Sequence, residues 1–210
     1  MTWEERAEHA IARYRGGETR DADQRQLTQL ANSAWAAGLS FLMAGRAEES
    51  ADWLRRAASA YRESWDAGAP PDSWGRPIAA MKALLLAGDD AGAAARWALD
   101  AGAVDAPSPI GRYAAALALL VLGRDVEARA VGSTLREGED FPQAVADAVV
   151  TIAAVDRAGY LLAIEDVLES FERRADFLED VPVADTVLVL QALAAARGAE
   201  VELRGSPVLP

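Results

Sequence analysis

The chain has 210 residues with 33 acidic and 21 basic side chains, a net charge of −12 that disfavours nucleic acid and anionic membranes as partners. It has no cysteine, which excludes disulfides, thiolate metal sites and cysteine nucleophiles. Half of it (51%) is hydrophobic, enough for one sizeable core, yet the longest apolar run, AAALALLVL at 114–122, has the length of a buried helix and not of a bilayer span.

The elements are predicted in chain order. Residues 2–15 form a short amphipathic helix stopped by Gly16-Gly17, with no hydrophobic signal core, so a cytoplasmic chain is expected. Thr19 or Asp21 caps the next helix, which runs to about Ala44. After Gly45-Arg46 a helix extends to Trp65-Asp66, and AGAPPDS at 67–73 is a loop. A second hairpin covers 73–102. Ser108 then serves as N-cap with Pro109 at the first helical position of a third hairpin, 109–136. GEDFPQ separates it from a fourth hairpin ending near Phe177. A last helix covers 183–197, and a short extended piece is placed at Val201–Leu203.

The turns LMAGRAEES, LLAGDDAGA, LVLGRDVEA and VDRAGYLLA carry Gly45, Gly88, Gly123 and Gly159, which are 43, 35 and 36 residues apart. A two-helix unit recurring at that period implies stacked hairpins. The expected fold is therefore all-α: a right-handed stack of antiparallel helical hairpins with about ten helices in one domain. Residues 1–20 form an N-terminal helix arm, 21–178 the four hairpins, and 183–210 the C-terminal helix and tail. An exposed apolar end at Val187–Leu193 would favour a homodimer through the terminal helices.

Side-chain periodicity agrees. Trp53, Ala57, Tyr61 and Trp65 fall at every fourth position beside Leu54 and Ala58, building one wide face. Leu161, Ile164, Val167, Leu168 and Phe171 do the same, with Glu165, Asp166, Glu169 and Glu172 on the wet side. Lys82 is the only lysine, and the remaining basic residues apart from His9 are arginine. With so acidic a balance, this composition fits a salt-loving archaeon and a high-GC bacterium equally.

The first hairpin, ANSAWAAGLSFLMAGRAEESADWLRRA, resembles a tetratricopeptide repeat: Gly38, Phe41, Gly45, Ser50, Leu54 and Ala57 stand at that family's small, aromatic, turn and packing positions. Gly38 and Ala57 would let the two helices approach closely. The third hairpin keeps Gly123 and Ala128 but has Ala116 and Gly132 where a glycine and a large residue are expected. The C-terminal half, from YLLAIEDVLESFERR to VADTVLVLQALAAARGAEVELRGSPVLP, resembles the end of the all-helical bacterial immunity proteins (immunity protein family forty-nine). Val201, Glu202 and Leu203 stand at a short V-E-V-type segment and Leu209-Pro210 at the ending. That resemblance implies inhibition of a toxin by tight binding.

Nothing in the chain points to catalysis. His9 is the only histidine, and Glu5 four residues before it makes a surface pair the expected reading, because zinc and di-iron sites need more ligands. AGDDAGAAA lacks the lysine and serine or threonine of a phosphate loop. The carboxylates at Asp89-Asp90, Glu165-Asp166, Glu169, Glu172, Asp176 and Glu179-Asp180 read as a solvated acidic face, with a carboxylate-lined cavity in an enzyme or small-molecule binder as the alternative. No cofactor or metal is expected.

The six tryptophans (Trp3, Trp35, Trp53, Trp65, Trp74 and Trp97) all lie in the first half. Tryptophan and arginine are enriched at binding hot spots. Arg55, Arg56 and Arg62 share a helix with Trp53, Tyr61 and Trp65. Trp65 and Trp74 flank the Pro-Pro loop and are expected to be partly exposed. The expected function is a non-catalytic protein-protein interaction module, a scaffold or adaptor, that binds a protein or peptide through Trp53, Arg56, Tyr61, Arg62, Trp65 and Trp74. A toxin-neutralising immunity-type role is the alternative.

Overall fold

Ten α-helices make up the computed structural model, which describes residues 1–138 and 140–210 and contains no strand among them. They are α1 (Trp3–Gly17), α2 (Gln24–Met43), α3 (Ala47–Asp66), α4 (Gly75–Leu86), α5 (Gly92–Asp100), α6 (Pro109–Val121), α7 (Asp125–Arg136), α8 (Gln143–Ala153), α9 (Arg157–Glu172) and α10 (Asp185–Ala195). Single 3-10 turns lie at Ala103–Asp105 and Leu178–Asp180. Each helix from α1 to α9 packs on its neighbour in sequence. Among the described residues no helix is long and apolar enough to cross a membrane.

Local chemistry sets the boundaries. Thr2 and Glu5 form a capping box at the start of α1, which runs through Gly16-Gly17 instead of stopping before them. The cap of α2 is neither Thr19 nor Asp21. It is Asp23, whose carboxylate accepts from Arg25 and Gln26 while Gln26 returns a bond to the Asp23 N–H. Ser108 caps α6 with Pro109 at its first position, as expected. The short piece at Val201–Leu203 lies outside any helix or strand, and the Gln191 amide donates to the Val201 carbonyl at 2.6 Å.

Three hairpin turns share one geometry. Gly45, Gly88 and Gly123 take φ of 73°, 75° and 69°. In each, two N–H groups fold back onto the last carbonyls of the preceding helix, as Gly45 to Leu42 and Arg46 to Phe41 do. The fourth turn corrects the sequence expectation. Its left-handed residue is Val155 at φ 53°, with N–H bonds from Val155 to Ile152 and from Asp156 to Thr151. Gly159 lies inside α9, where its N–H donates to the capping Asp156 carboxylate at 3.0 Å.

Close helix approach uses missing side chains. A Cβ on Gly38 would stand 2.7 Å from Leu54 Cγ, so α2 and α3 meet there as the first-hairpin pattern implied, and Ser50 Oγ donates to the Gly38 carbonyl at 2.8 Å. Gly132, in place of a large residue, lets α7 approach α8: a Cβ there would stand 2.9 Å from Val149.

The C-terminal segment ties the hairpins together. The turn Leu178–Asp180 packs on α2, and Arg13 of α1 pairs with Glu179 at 3.0 Å while Arg6 donates to the Asp180 carbonyl at 2.6 Å. Helix α10 then packs on α4, α8 and α9. Its Val187, Val189, Leu190 and Leu193 are buried, so the exposed apolar end considered for dimerisation is instead interior. A helix apolar all round must be covered on several sides. Polar bonds pin it: Lys82 Nζ to Asp185 at 2.6 Å and Thr186 at 3.0 Å, Tyr160 to Gln191 at 2.9 Å, and Arg197 to Asp125 and the Leu120 carbonyl. Glu172, expected on the wet side of α9, is held by Arg204 and Ser206 of the tail.

Candidate functional site

Helix α3 distributes the candidate residues among three environments. Trp53 is buried, with the Tyr14 ring of α1 edge-on at 5.2 Å and the Arg56 guanidinium 4.6 Å above it. Tyr61 is buried toward α2, where its hydroxyl donates to Asn32 Oδ1 at 2.7 Å, and burial pushes the phenol pKa well above its ordinary value. Arg62 and Trp65 face the other way, toward α4 and α5. Trp65 is half-buried, 6.0 Å from the Trp74 ring and 5.6 Å from the Trp97 ring.

Trp74 departs from expectation. It is 6% exposed, because the start of α6 covers it: a Cβ on Gly111 would lie 2.8 Å from Trp74 Nε1. The structure thus stacks Trp65 between Trp74 and Trp97, with Arg62 over Trp97, while Trp53, Arg56 and Tyr61 serve contacts with α1 and α2.

A groove of about 380 Å³ opens beside this cluster, between α3, α4 and α5. Ala58, Ala80, Ala93 and Ala94 line it with Leu84 and Trp97, and Arg55 and Arg62 border it. The trough exists because alanines stand where three helices meet and do not fill the space. Trp97 Nε1 is buried and has no hydrogen-bond partner. A buried donor left unpaired costs about 1–3 kcal/mol.

The two arginines differ. Arg55 grips Asp89 with two bonds, of 2.7 and 3.0 Å, and Asp52 with a third of 3.0 Å. Its guanidinium holds the Asp89 carboxyl below the usual carboxylate range. Arg62 donates to Asp66 at 2.8 Å on its own helix, both side chains about half exposed, and its guanidinium lies 4.8 Å from the Trp97 ring centroid. Exposed pairs of that kind are worth about 0–1 kcal/mol, so Arg62 exchanges partners at small cost.

Other sequence candidates are dispersed. His9 is exposed, and Glu5 is engaged with the Thr2 N–H. Asp90 caps Gly92, and Glu179 pairs with Arg13. Among the described residues no group of three or more histidine, aspartate or glutamate side chains converges as metal ligands would.

Sequence reasoning missed that Trp97 and an alanine floor line one groove. The signal was present in AGAAARW: Ala93 and Ala94 precede Trp97 by four and three positions, so they share its helix face.

No protein-family model matches the chain, and neither curated proteins nor solved structures give a significant match. The tetratricopeptide and immunity-protein resemblances therefore rest on the residues quoted for them.

Proposed function

We propose that the protein is a non-catalytic binding module that seats an apolar segment of a partner protein in the groove between α3, α4 and α5. The observation that carries this reading is the alanine-lined trough walled by Trp97 and bordered by the half-exposed Arg62. Tryptophan and arginine beside an apolar trough are the usual anchors of a protein interface.

The chemistry of the rim specifies the occupant. An apolar side chain of the partner fills the trough against Trp97, and an adjacent carboxylate replaces Asp66 on Arg62. The net charge of −12 opposes a strongly acidic partner at long range. The recognised segment therefore carries one carboxylate among apolar or basic neighbours.

The test is selection of binders from a displayed random-peptide library, followed by affinity measurement on three variants. Ala93→Trp fills the groove from an exposed position, Arg62→Glu reverses the rim charge, and Arg157→Glu is a remote control on α9. Peptides with an acid beside an apolar residue, weakened about tenfold or more by the first two variants alone, are expected. Peptides that bind Ala93→Trp as they bind wild type, or no enrichment at all, would overturn the proposal.

A further inference from the structure

A second cavity, of about 430 Å³, lies where the first turns of α6, α8 and α10 meet the C-terminal end of α9. It is independent of the groove described above. Its walls are mainly apolar, from Ile110, Tyr113, Phe141, Val145 and Phe171, and three further polar side chains line it: Arg174, Thr186 and Asp140, the last exposed. The Tyr113 and Phe141 rings are 5.2 Å apart.

Two polar groups there are unexplained by packing. Tyr113 is 5% exposed and its hydroxyl is buried with no hydrogen-bond partner. A phenylalanine would fill the same space without leaving a donor unpaired. Arg174 places its guanidinium 3.7 Å from the Phe171 ring centroid and forms no ion pair among the described residues, whereas the adjacent Arg173 pairs with Glu169. Ile110 stands 45% exposed at the same cavity. An apolar pocket with one or two convergent polar groups is the common form of a small-ligand site, and this volume lies near the lower end of their range.

We propose that this cavity binds a small apolar carboxylate. Its hydrocarbon body packs among Phe141, Val145 and Phe171, and its carboxylate is shared by the Arg174 guanidinium and the Tyr113 hydroxyl. The half-buried Phe141 ring, on the loop before α8, moves aside to uncover that hydroxyl.

Titration with phenylacetate and hexanoate, followed by calorimetry and by NMR shifts of the Tyr113 and Phe141 rings, tests this. Phenylacetamide serves as the neutral control. Saturable binding of the carboxylates is expected. Arg174→Ala, at an exposed site, should weaken it about tenfold or more. Tyr113→Phe should weaken it about fivefold without lowering the melting temperature. Equal binding of the amide, carboxylate binding unchanged in either variant, or no binding of either acid would overturn the proposal. An unchanged affinity in Tyr113→Phe would assign the hydroxyl to a bound water instead.

Discussion

Val155→Gly is expected to stabilise the protein. Val155 has φ 53°, sits 52% exposed, and makes the same pair of turn hydrogen bonds as Gly45, Gly88 and Gly123. The left-handed conformation costs an L-residue about 1–2 kcal/mol, because Cβ crowds the following carbonyl oxygen, and a β-branched side chain lies at the upper end. Glycine removes that strain and gives back about 0.4–1 kcal/mol through greater freedom of the unfolded chain. Little burial is lost from a half-exposed side chain. The net gain is about 0.5–1 kcal/mol, or a rise of about 1–4 °C in melting temperature for a chain of this size. Urea titration with calorimetry reads it directly. The reverse change, Gly123→Val, should destabilise by a similar net amount, about 0.5–1 kcal/mol, since Gly123 has the same φ sign and no neighbour within 4 Å of an added Cβ. A neutral or destabilising Val155→Gly beside a neutral Gly123→Val would refute the strain argument.

Three further outcomes follow from the packing. Gly38→Ala places a Cβ 2.7 Å from Leu54 Cγ and should lower stability by about 1–3 kcal/mol in denaturant titration. Lys82→Ala strands the Asp185 carboxylate, which is only 18% exposed, and should cost about 3 kcal/mol; Lys82→Met with Asp185→Leu should cost clearly less, and equal losses would deny the pair its role. Arg204 and Ser206 hold the Glu172 pKa down to about 2 from an ordinary 4.5. A depressed folded pKa adds stability that is full above the unfolded value and is lost as pH falls toward the folded one. Glu172→Gln should thus weaken tail docking at neutral pH, seen as faster amide exchange over 203–208, and should match wild type once the pH falls to about 2.

What the chain reveals depends on how local the cause is. Ser108-Pro109 and the three turn glycines act within a few residues, and each is where the sequence places it. Gly38 is legible because it stands at the small position of the tetratricopeptide-like pattern in the first hairpin. The fourth turn is not legible, because a valine carries no mark of a left-handed backbone and Gly159 nearby offers a more ordinary choice. Helix α10 shows the same limit at a larger scale. Its all-round apolarity is plain in VLVLQALAAA, but whether such a helix ends the stack exposed or lies within it depends on α4, α8 and α9, all distant in sequence. The candidate site divides likewise. Four-residue spacing identifies the buried face of α3, yet a core contact such as Trp53 on Tyr14 and a contact beside the groove such as Trp65 on Trp97 share that spacing.

The distribution of unmet hydrogen bonds ties the two proposed sites together. Buried hydroxyls elsewhere in the fold find acceptors: Ser40 on the Ala36 carbonyl, Ser64 on that of Gln24, Tyr61 on Asn32 and Tyr160 on Gln191. Among the described residues the buried side-chain polar atoms without a partner are Trp97 Nε1 and Tyr113 Oη. Each belongs to a residue that lines an apolar cavity bordered by arginine. Loose packing would leave orphans wherever helices fit badly, whereas among the described residues both stand beside open apolar volume, Tyr113 next to the first turn of α10. Under the two proposals the arginine at each cavity favours an occupant that brings negative charge, and the Tyr113 hydroxyl gains its acceptor from that occupant.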